Sequence, residues 1–238
     1  EGSLKIQMPN LSFSRLVLPV LFLIFFSVLI RAKSREEKKF KVEKTPTITL
    51  INYSGSISAQ GWTNDSVKLI AIRYSENVEI DVEASSNRVD IASHILDKLA
   101  DSKKTLVDYE LYIPENSNLH IRSNIGDVSI SNVRGQVSVD VVNAAVKVTK
   151  INGYLNTHSL GKKTINISQS KGTIQATTVR ANIVLEQLQS DNVKANSTLG
   201  DIVYRGNFMN GGSYNLSSTD GKITVICTET ASVEWNVS

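Results

Sequence analysis

Six short segments in the second half of the chain alternate apolar and polar residues in one shared register. Each opens on an apolar residue: Val128, Val146, Ile165, Ile183, Ile202 and Ile223, at steps of 18, 19, 18, 19 and 21. Two residues later stand Ile130, Val148, Ile167, Leu185, Tyr204 and Val225. A second set of columns runs through Val137, Leu155, Ile174, Val193 and Tyr214, then Val139, Thr157, Ala176, Ala195 and Leu216. Residues two apart share one face of a strand. The residues between them are mostly Ser, Thr, Asn, Lys and Asp, which suits a solvated face. Gly135, Gly153, Gly172, Ser190-Asp191 and Gly211-Gly212 fall at matching places before the second set, where a turn is needed. A period near twenty residues with alternating β-branched positions predicts stacked coils of strand. The fold expected is all-β: a single-stranded parallel β-solenoid, taken as right-handed, with about 18–21 residues per coil. Two main strands per coil and a rise of ~4.8 Å stack the six best-marked coils to roughly 30 Å.

The alternation extends upstream. Thr47–Ile51 and Ser56–Ala59 flank Asn52-Tyr-Ser-Gly55 and read as an early coil. Ser66–Arg73, Asn77–Val82, Arg88–Ile91 and Thr105–Ile113 read as further strands, the last ending at Pro114, where a strand without a donor can exit. The polar stretch Ala92–Lys104 breaks the pattern as a loop or short helix. Residues 31–39 read as a solvated linker. The domain plan is therefore a leader over residues 1–34, a linker and first strand over 35–46, a solenoid over 47–230 and a tail over 231–238.

The leader changes the picture of charge and address. Leu16–Ile30 is apolar except for Ser27, follows Arg15, and is short for a membrane span. Ala32-Lys-Ser34 supplies small residues for a cleavage site, and Met8 is a candidate start. No Cys follows the run, so a lipid-modified cysteine is not expected. Export to the periplasm or cell envelope is the expected address, with membrane attachment through Leu16–Ile30 if that segment is retained. The basic crowd Arg31, Lys33, Arg35, Lys38 and Lys39 favours the opposite, a body held inside. Of the net charge of +3, residues 1–34 carry all of it (Lys5, Arg15, Arg31 and Lys33 against Glu1). The remaining 22 basic and 22 acidic groups balance, so nucleic acid is not an expected partner.

Three stretches then occur in a meaningful order: Ile48-Thr-Leu-Ile-Asn-Tyr-Ser-Gly-Ser-Ile-Ser-Ala-Gln-Gly-Trp62, Val78-Glu-Ile-Asp-Val82 and Tyr109-Glu-Leu-Tyr-Ile-Pro-Glu-Asn-Ser-Asn-Leu-His-Ile121. With the Gly-x-Val/Ile coils that follow, they resemble the bacterial "putative adhesin" β-strand-repeat family over roughly residues 40–227. The resemblance implies an envelope-associated β-helical protein and supplies no catalytic residues. The chain departs from that pattern at Ala144, Lys162, Ala181 and Ser190, where glycine is expected, which puts regular turn geometry there in question.

Candidate chemistry is thin. His94, His120 and His158 share no ligand spacing and are expected to face solvent. Cys227 follows the parity of Ile223 and Val225 and is expected to be a buried thiol. Asp127 and Asp201 both follow a turn glycine but sit four coils apart, ~19 Å by coil rise, too far for a shared metal or an acid–base pair. Asp140 adds no cluster. No catalytic, cofactor-binding or metal-ligating residue is expected, and no cofactor. Three functions stay open. The first is a non-catalytic envelope module binding a glycan or envelope protein through its flat face. The second is a membrane-attached cytoplasmic scaffold polymerising coil on coil, of bactofilin type. The third is a β-helix enzyme cleaving polysaccharide, which calls for clustered Asp with Arg or Lys.

Overall fold

A computed structural model describes residues 33–97, 99, 101–227 and 234. The apolar run Leu16–Ile30 and nearly all of the tail lie outside the described residues. Among those described, no helix is long and apolar enough to cross a membrane.

Among the described residues seventeen strands form two stacks, sheet A and sheet B, and each coil contributes one strand segment to each. From the middle onward the coils are β8 (Asn118–Ser131), β9 (Arg134–Thr149), β10–β11 (Asn152–Ser159, Ile165–Ser168), β12–β13 (Lys171–Thr178, Ile183–Glu186), β14–β15 (Gln189–Ser197, Ile202–Arg205) and β16–β17 (Ser213–Ser218, Ile223–Ile226). Strands β8 and β9 run through both sheets without a break. Every column expected from the sequence is a ladder register: Val128 with Val146, Val146 with Ile165, Ile183 with Ile202, and Ile202 with Ile223. On the other sheet Val137, Leu155, Ile174, Val193 and Tyr214 pair in turn. Alternate residues point into the narrow space between the sheets, where Val148, Ile167, Ile174 and Leu185 are fully buried. The Ser190-Asp191 pair, matched above to a single glycine, sits where β14 slips one residue against β12, which is a bulge.

The N-terminal end departs from sequence order. The coil β2–β3 (Thr47–Ser54, Ile57–Trp62) pairs with β8 on one side. On its other side lies the coil β6–β7 (Arg88–Ile95, Val107–Pro114), which comes later in the chain. Strands β1 (Ser34–Lys41) and β4 (Ser66–Arg73) then close sheet B, and β5 (Val78–Ala84) closes sheet A, all three antiparallel. The charged run taken as a linker is thus strand from Ser34 onward. Its pairing with β4 rests on backbone groups, which carry no alternation signal in side chains. A short 3₁₀ turn, Ser102–Thr105, joins β6 to β7, with the Asp101 side chain accepting from the Lys103 amide.

Two corners connect the sheets. At the B-to-A corner Asn132, Lys150, Gln169 and Gln187 take φ of 51–58°. This left-handed column turns each coil three residues before the Gly135, Gly153, Gly172 column. Adjacent members are coupled along the stack; the Gln169 amide donates to Gln187 Oε1 at 3.4 Å. At the A-to-B corner Ala144 and Ala181 are buried, and neither has a positive φ. Alanine therefore fits where glycine was expected.

Candidate binding edge

The titratable residues singled out in the sequence are spread over the surface. His94 lies 3.0 Å from Asp81 on the hairpin β5–β6, and His158 lies 3.8 Å from Asp140 on the outer face of sheet A. His120 stands one coil before Asp140 in the adjacent ladder position, beside Ser138. Asp127 accepts from Lys163 Nζ at 3.0 Å, and Asp201 accepts from the Lys222 amide at 2.8 Å, so each is occupied locally. Among the described residues no three His, Cys, Asp or Glu side chains gather into a possible metal site. Cys227 is exposed, not buried. Its parity is that of the core, but β17 ends at Ile226 and the closing coil is only half covered: Ile223 and Ile226 are themselves exposed.

Two shallow depressions mark the surface. One, of about 410 Å³, lies on sheet B between Lys147, Ser168, Glu186 and Arg205. The Arg205–Glu186 ion pair at 2.7 Å spans adjacent coils within it. The other, of about 310 Å³, follows the left-handed column past Asn132 and Lys150. Neither encloses a substrate, because both open along a flat ladder.

The feature that sequence reasoning missed is the A-to-B corner. Along it the six coils from β2–β3 and β8 to β14–β15 each expose an aliphatic or aromatic side chain: Tyr53, Ile125, Val142, Leu160, Val179 and Leu199, all 38–50% accessible. Backbone hydrogen bonds fix their neighbourhood. The Leu160 amide donates to Val141, the Val179 amide to Ser159, and the Leu199 amide to Val179. Tyr53, Val142, Leu160 and Val179 share one ladder column, and Ile125 and Leu199 each stand one residue past it, beside Asn124 and Thr198, so the six form a row along the corner at the ladder spacing of ~4.8 Å. At its N-terminal end the same corner carries Tyr74, Leu96 and Leu99, exposed where β4 ends and where β6 passes to β7. Thirteen large apolar side chains are exposed among the described residues, and nine lie on this one edge. Single exposed apolar residues are ordinary, but a contiguous row of them marks an interaction surface. The sequence did hold a trace of it, since Val142, Leu160 and Val179 recur at steps of 18 and 19. They sit outside the alternating segments and read as loop.

Local bonding makes this edge rigid at its N-terminal end. Asp108 takes the Ser56 amide at 2.7 Å, the Ser56 hydroxyl at 2.8 Å and the Tyr74 hydroxyl at 2.8 Å. Burial pushes its carboxyl up, yet these donors and the nearby Lys33 charge bring it below the ordinary aspartate value. Lys33, the first described residue, lies over the Tyr74 ring at 4.9 Å. Lys103, Lys104, Lys162 and Arg180 are exposed along the same edge. Arg180 donates from Nε to the Leu160 carbonyl, which lays its stem along the ridge.

No family model matches the chain, and no curated protein matches it. Solved structures do align with it. A putative cell adhesion protein from Clostridium sporogenes is 15% identical, with 83% of this chain and 100% of that chain covered and a TM-score of 0.44. A putative adhesin from Bacteroides fragilis is 18% identical, with coverage of 83% and 99% and a TM-score of 0.32. A putative lipid binding protein from Parabacteroides distasonis is 13% identical, with coverage of 81% and 97% and a TM-score of 0.30.

Proposed function

We propose that this protein is a non-catalytic binding module of the cell envelope, and that the A-to-B edge is its binding surface. One observation carries the reading: exposed apolar side chains concentrate on a single edge, while the titratable residues stay dispersed. A hydrolase of the β-helix kind needs carboxylates and a base gathered within hydrogen-bond reach of one bond. Asp127, Asp140 and Asp201 belong to different coils and serve different local partners. The envelope address rests on the sequence of Leu16–Ile30, a short apolar run behind Arg15.

Two measurements test this. A reporter active only outside the cytoplasm, fused after Ser238, should be active. A silent reporter, beside an active cytoplasmic one, transfers the protein to the polymerising-scaffold reading. For the surface, Leu160→Asp should leave the melting temperature nearly unchanged, since the side chain is half exposed, and should release from the isolated envelope fraction a chain from which Leu16–Ile30 has been cleaved. Retention equal to wild type, for Leu160→Asp and Val142→Asp alike, removes the edge from the function.

A further inference from the structure

We infer that the occupant of the A-to-B edge is the surface of a lipid bilayer, with the solenoid lying on its side and the aliphatic ridge set into the headgroup boundary; this rests on the reading of that edge as the binding surface. Shape is the first argument. The ridge follows the outer corner of the solenoid over six coils from Tyr53 to Leu199, or about 24 Å at the ladder spacing, with Ile125 and Leu199 each one residue out of column. An outer corner of this kind suits a planar, deformable partner. A rigid protein would have to bring a groove of the same length.

Chemistry is the second argument. The row is aliphatic in its middle, with Val142, Leu160 and Val179, and carries Tyr53 and Tyr74 at one end. Exposed basic side chains border it, Lys104, Lys162 and Arg180 among them. Aliphatic side chains below, tyrosines at the boundary and long basic stems that lift their charge outward are the composition of an interfacial surface. Carboxylates border the edge as well. Asp108 lies at its N-terminal end and Asp127 is ion-paired with Lys163, so the flanking charge is of both signs. The driving force assigned is therefore apolar insertion, not attraction to anionic lipid.

The third argument is the path of the chain. The described fold begins at Lys33, and Lys33 lies against Tyr74 on this same edge. The chain before it includes the apolar run Leu16–Ile30, which ends three residues earlier. Three residues span at most ~10 Å when extended. A retained anchor therefore leaves the N-terminal end of the ridge within that distance of the bilayer.

The test must read the edge itself, because a retained Leu16–Ile30 would by itself bring the chain to vesicles. The full chain carrying Cys227→Ser receives one new cysteine, either Leu160→Cys on the ridge or Lys194→Cys on the outer face of sheet A. Each is labelled with an environment-sensitive fluorophore. The probe surface is a phosphatidylcholine vesicle doped with spin-labelled phosphatidylcholine. The label at Leu160→Cys should shift to the blue and be quenched, and the label at Lys194→Cys should do neither. Val142→Cys should repeat the Leu160→Cys result. The quenching should survive about 0.5 M salt, where screening leaves only a few ångströms of electrostatic reach. Equal quenching at ridge and control overturns the proposal. So does a blue shift in detergent that grows with protein concentration, which assigns the edge to a second copy of the chain. Loss of quenching in salt overturns apolar insertion. An unquenched ridge on an exported protein removes only the bilayer as occupant, whereas a silent export reporter removes the envelope reading beneath it.

Discussion

The coils from β8 to β17 and the N-terminal end from β1 to β7 are built from the same strands by different rules. In the coils, chain order and stacking order coincide, and each segment pairs with the one a single period away. At the N-terminal end the coil β6–β7 slides in front of β2–β3, and antiparallel strands close both sheets. The difference lies in what each region must satisfy. An interior coil has a neighbour on both sides, so its backbone groups are paired by repetition. A terminal coil has one open side, and an open strand edge recruits other strands. Here the edge strands are charged. Strand β1 presents Arg35, Glu36, Glu37, Lys38 and Lys39, and β5 presents Glu79, Asp81 and Glu83. The interior differs too. The coils are held mainly by aliphatic columns, with short hydroxyl side chains such as Thr157, Ser159 and Thr178 buried at their ends. The N-terminal end contains a polar chain, with the Ser93 hydroxyl donating to Asn52 Oδ1 at 3.0 Å and lying 2.6 Å from the Tyr109 hydroxyl.

The largest expected effect breaks the repeat half of this comparison. Val148 is fully buried in its column between Ile130 and Ile167. Val148→Asp places an unpaired carboxylate there, which costs several kcal/mol, comparable to the stability of a typical domain. Soluble yield should collapse. Lys147→Asp, one residue away and exposed, should cost about 0.5 kcal/mol or less by denaturant midpoint. A reversed order between these two variants refutes the register.

Gly153→Ala comes next. Gly153 has φ of 148°, and an added Cβ would stand 2.3 Å from the Gly135 carbonyl oxygen. The obstacle is backbone of the neighbouring coil, which cannot swing aside. A loss of ~2–4 kcal/mol is expected. A loss near zero would show that coils at this corner can separate.

The N-terminal end should respond instead to loss of hydrogen bonds. Asn52 is buried, and its amide donates to the Val107 carbonyl at 2.9 Å and the Ser54 carbonyl at 3.1 Å. Asn52→Ala strands both acceptors, while the Ser93 hydroxyl keeps the Tyr109 hydroxyl as partner, for a cost of ~2–3 kcal/mol by denaturant midpoint. If the variant is as stable as wild type, water or the backbone re-satisfies those groups, and the polar chain is dispensable.

A pH experiment reaches the same chain more gently. Burial, partly offset by the Ser93 hydroxyl, pushes the Tyr109 phenol up to about 12 from an ordinary value of 10.0. The folded state therefore holds this proton more tightly than the unfolded state. The contribution is fully present below pH 10 and is lost as pH rises from 10 to 12, amounting to ~1–2 kcal/mol by pH 11. Tyr109→Phe should lack this part of the alkaline decline. Parallel wild-type and variant curves between pH 9 and 11 would mean the phenol is hydrated.

The same contrast decides what was legible in the sequence. The coils were readable column by column, because a solenoid places identical environments at equal spacing and parity separates inside from outside. Val128 to Ile223 could be aligned without knowing what lay between them. Strand order at the N-terminal end was not readable. Alternation marks β4, β5 and β6 as strands but is identical for parallel and antiparallel neighbours. The charges of β1 hid a strand whose partner is bound through backbone. Cys227 was misplaced because parity says which way a residue points, not whether another coil covers it. The binding edge fell between columns: Ile125 and Leu199 are each shifted by one residue from the register of Tyr53, Val142, Leu160 and Val179, and all six lie outside the alternating segments that were aligned. The left-handed column was missed for a related reason. Its members, Asn132, Lys150, Gln169 and Gln187, share a conformation and no chemistry that a pattern would register.

That column supplies the smallest expected effect and the finest test of how corners are held. Lys150 has φ of 57° and an exposed side chain. For a residue with a Cβ this conformation costs about 1 kcal/mol. Glycine takes it freely, but glycine also makes the unfolded chain more disordered, at a cost of about 0.5–1 kcal/mol. The two nearly cancel, so Lys150→Gly should move the denaturant midpoint by about 0.5 kcal/mol or less in either direction. Gly153 lies three residues on, also at positive φ, and should be intolerant of change. The difference between the two sites is space, since Lys150 points to solvent and Gly153 faces the next coil. If Lys150→Gly costs as much as Gly153→Ala, the side chains of the left-handed column brace the stack from outside, and the corner is held by more than its backbone ladder.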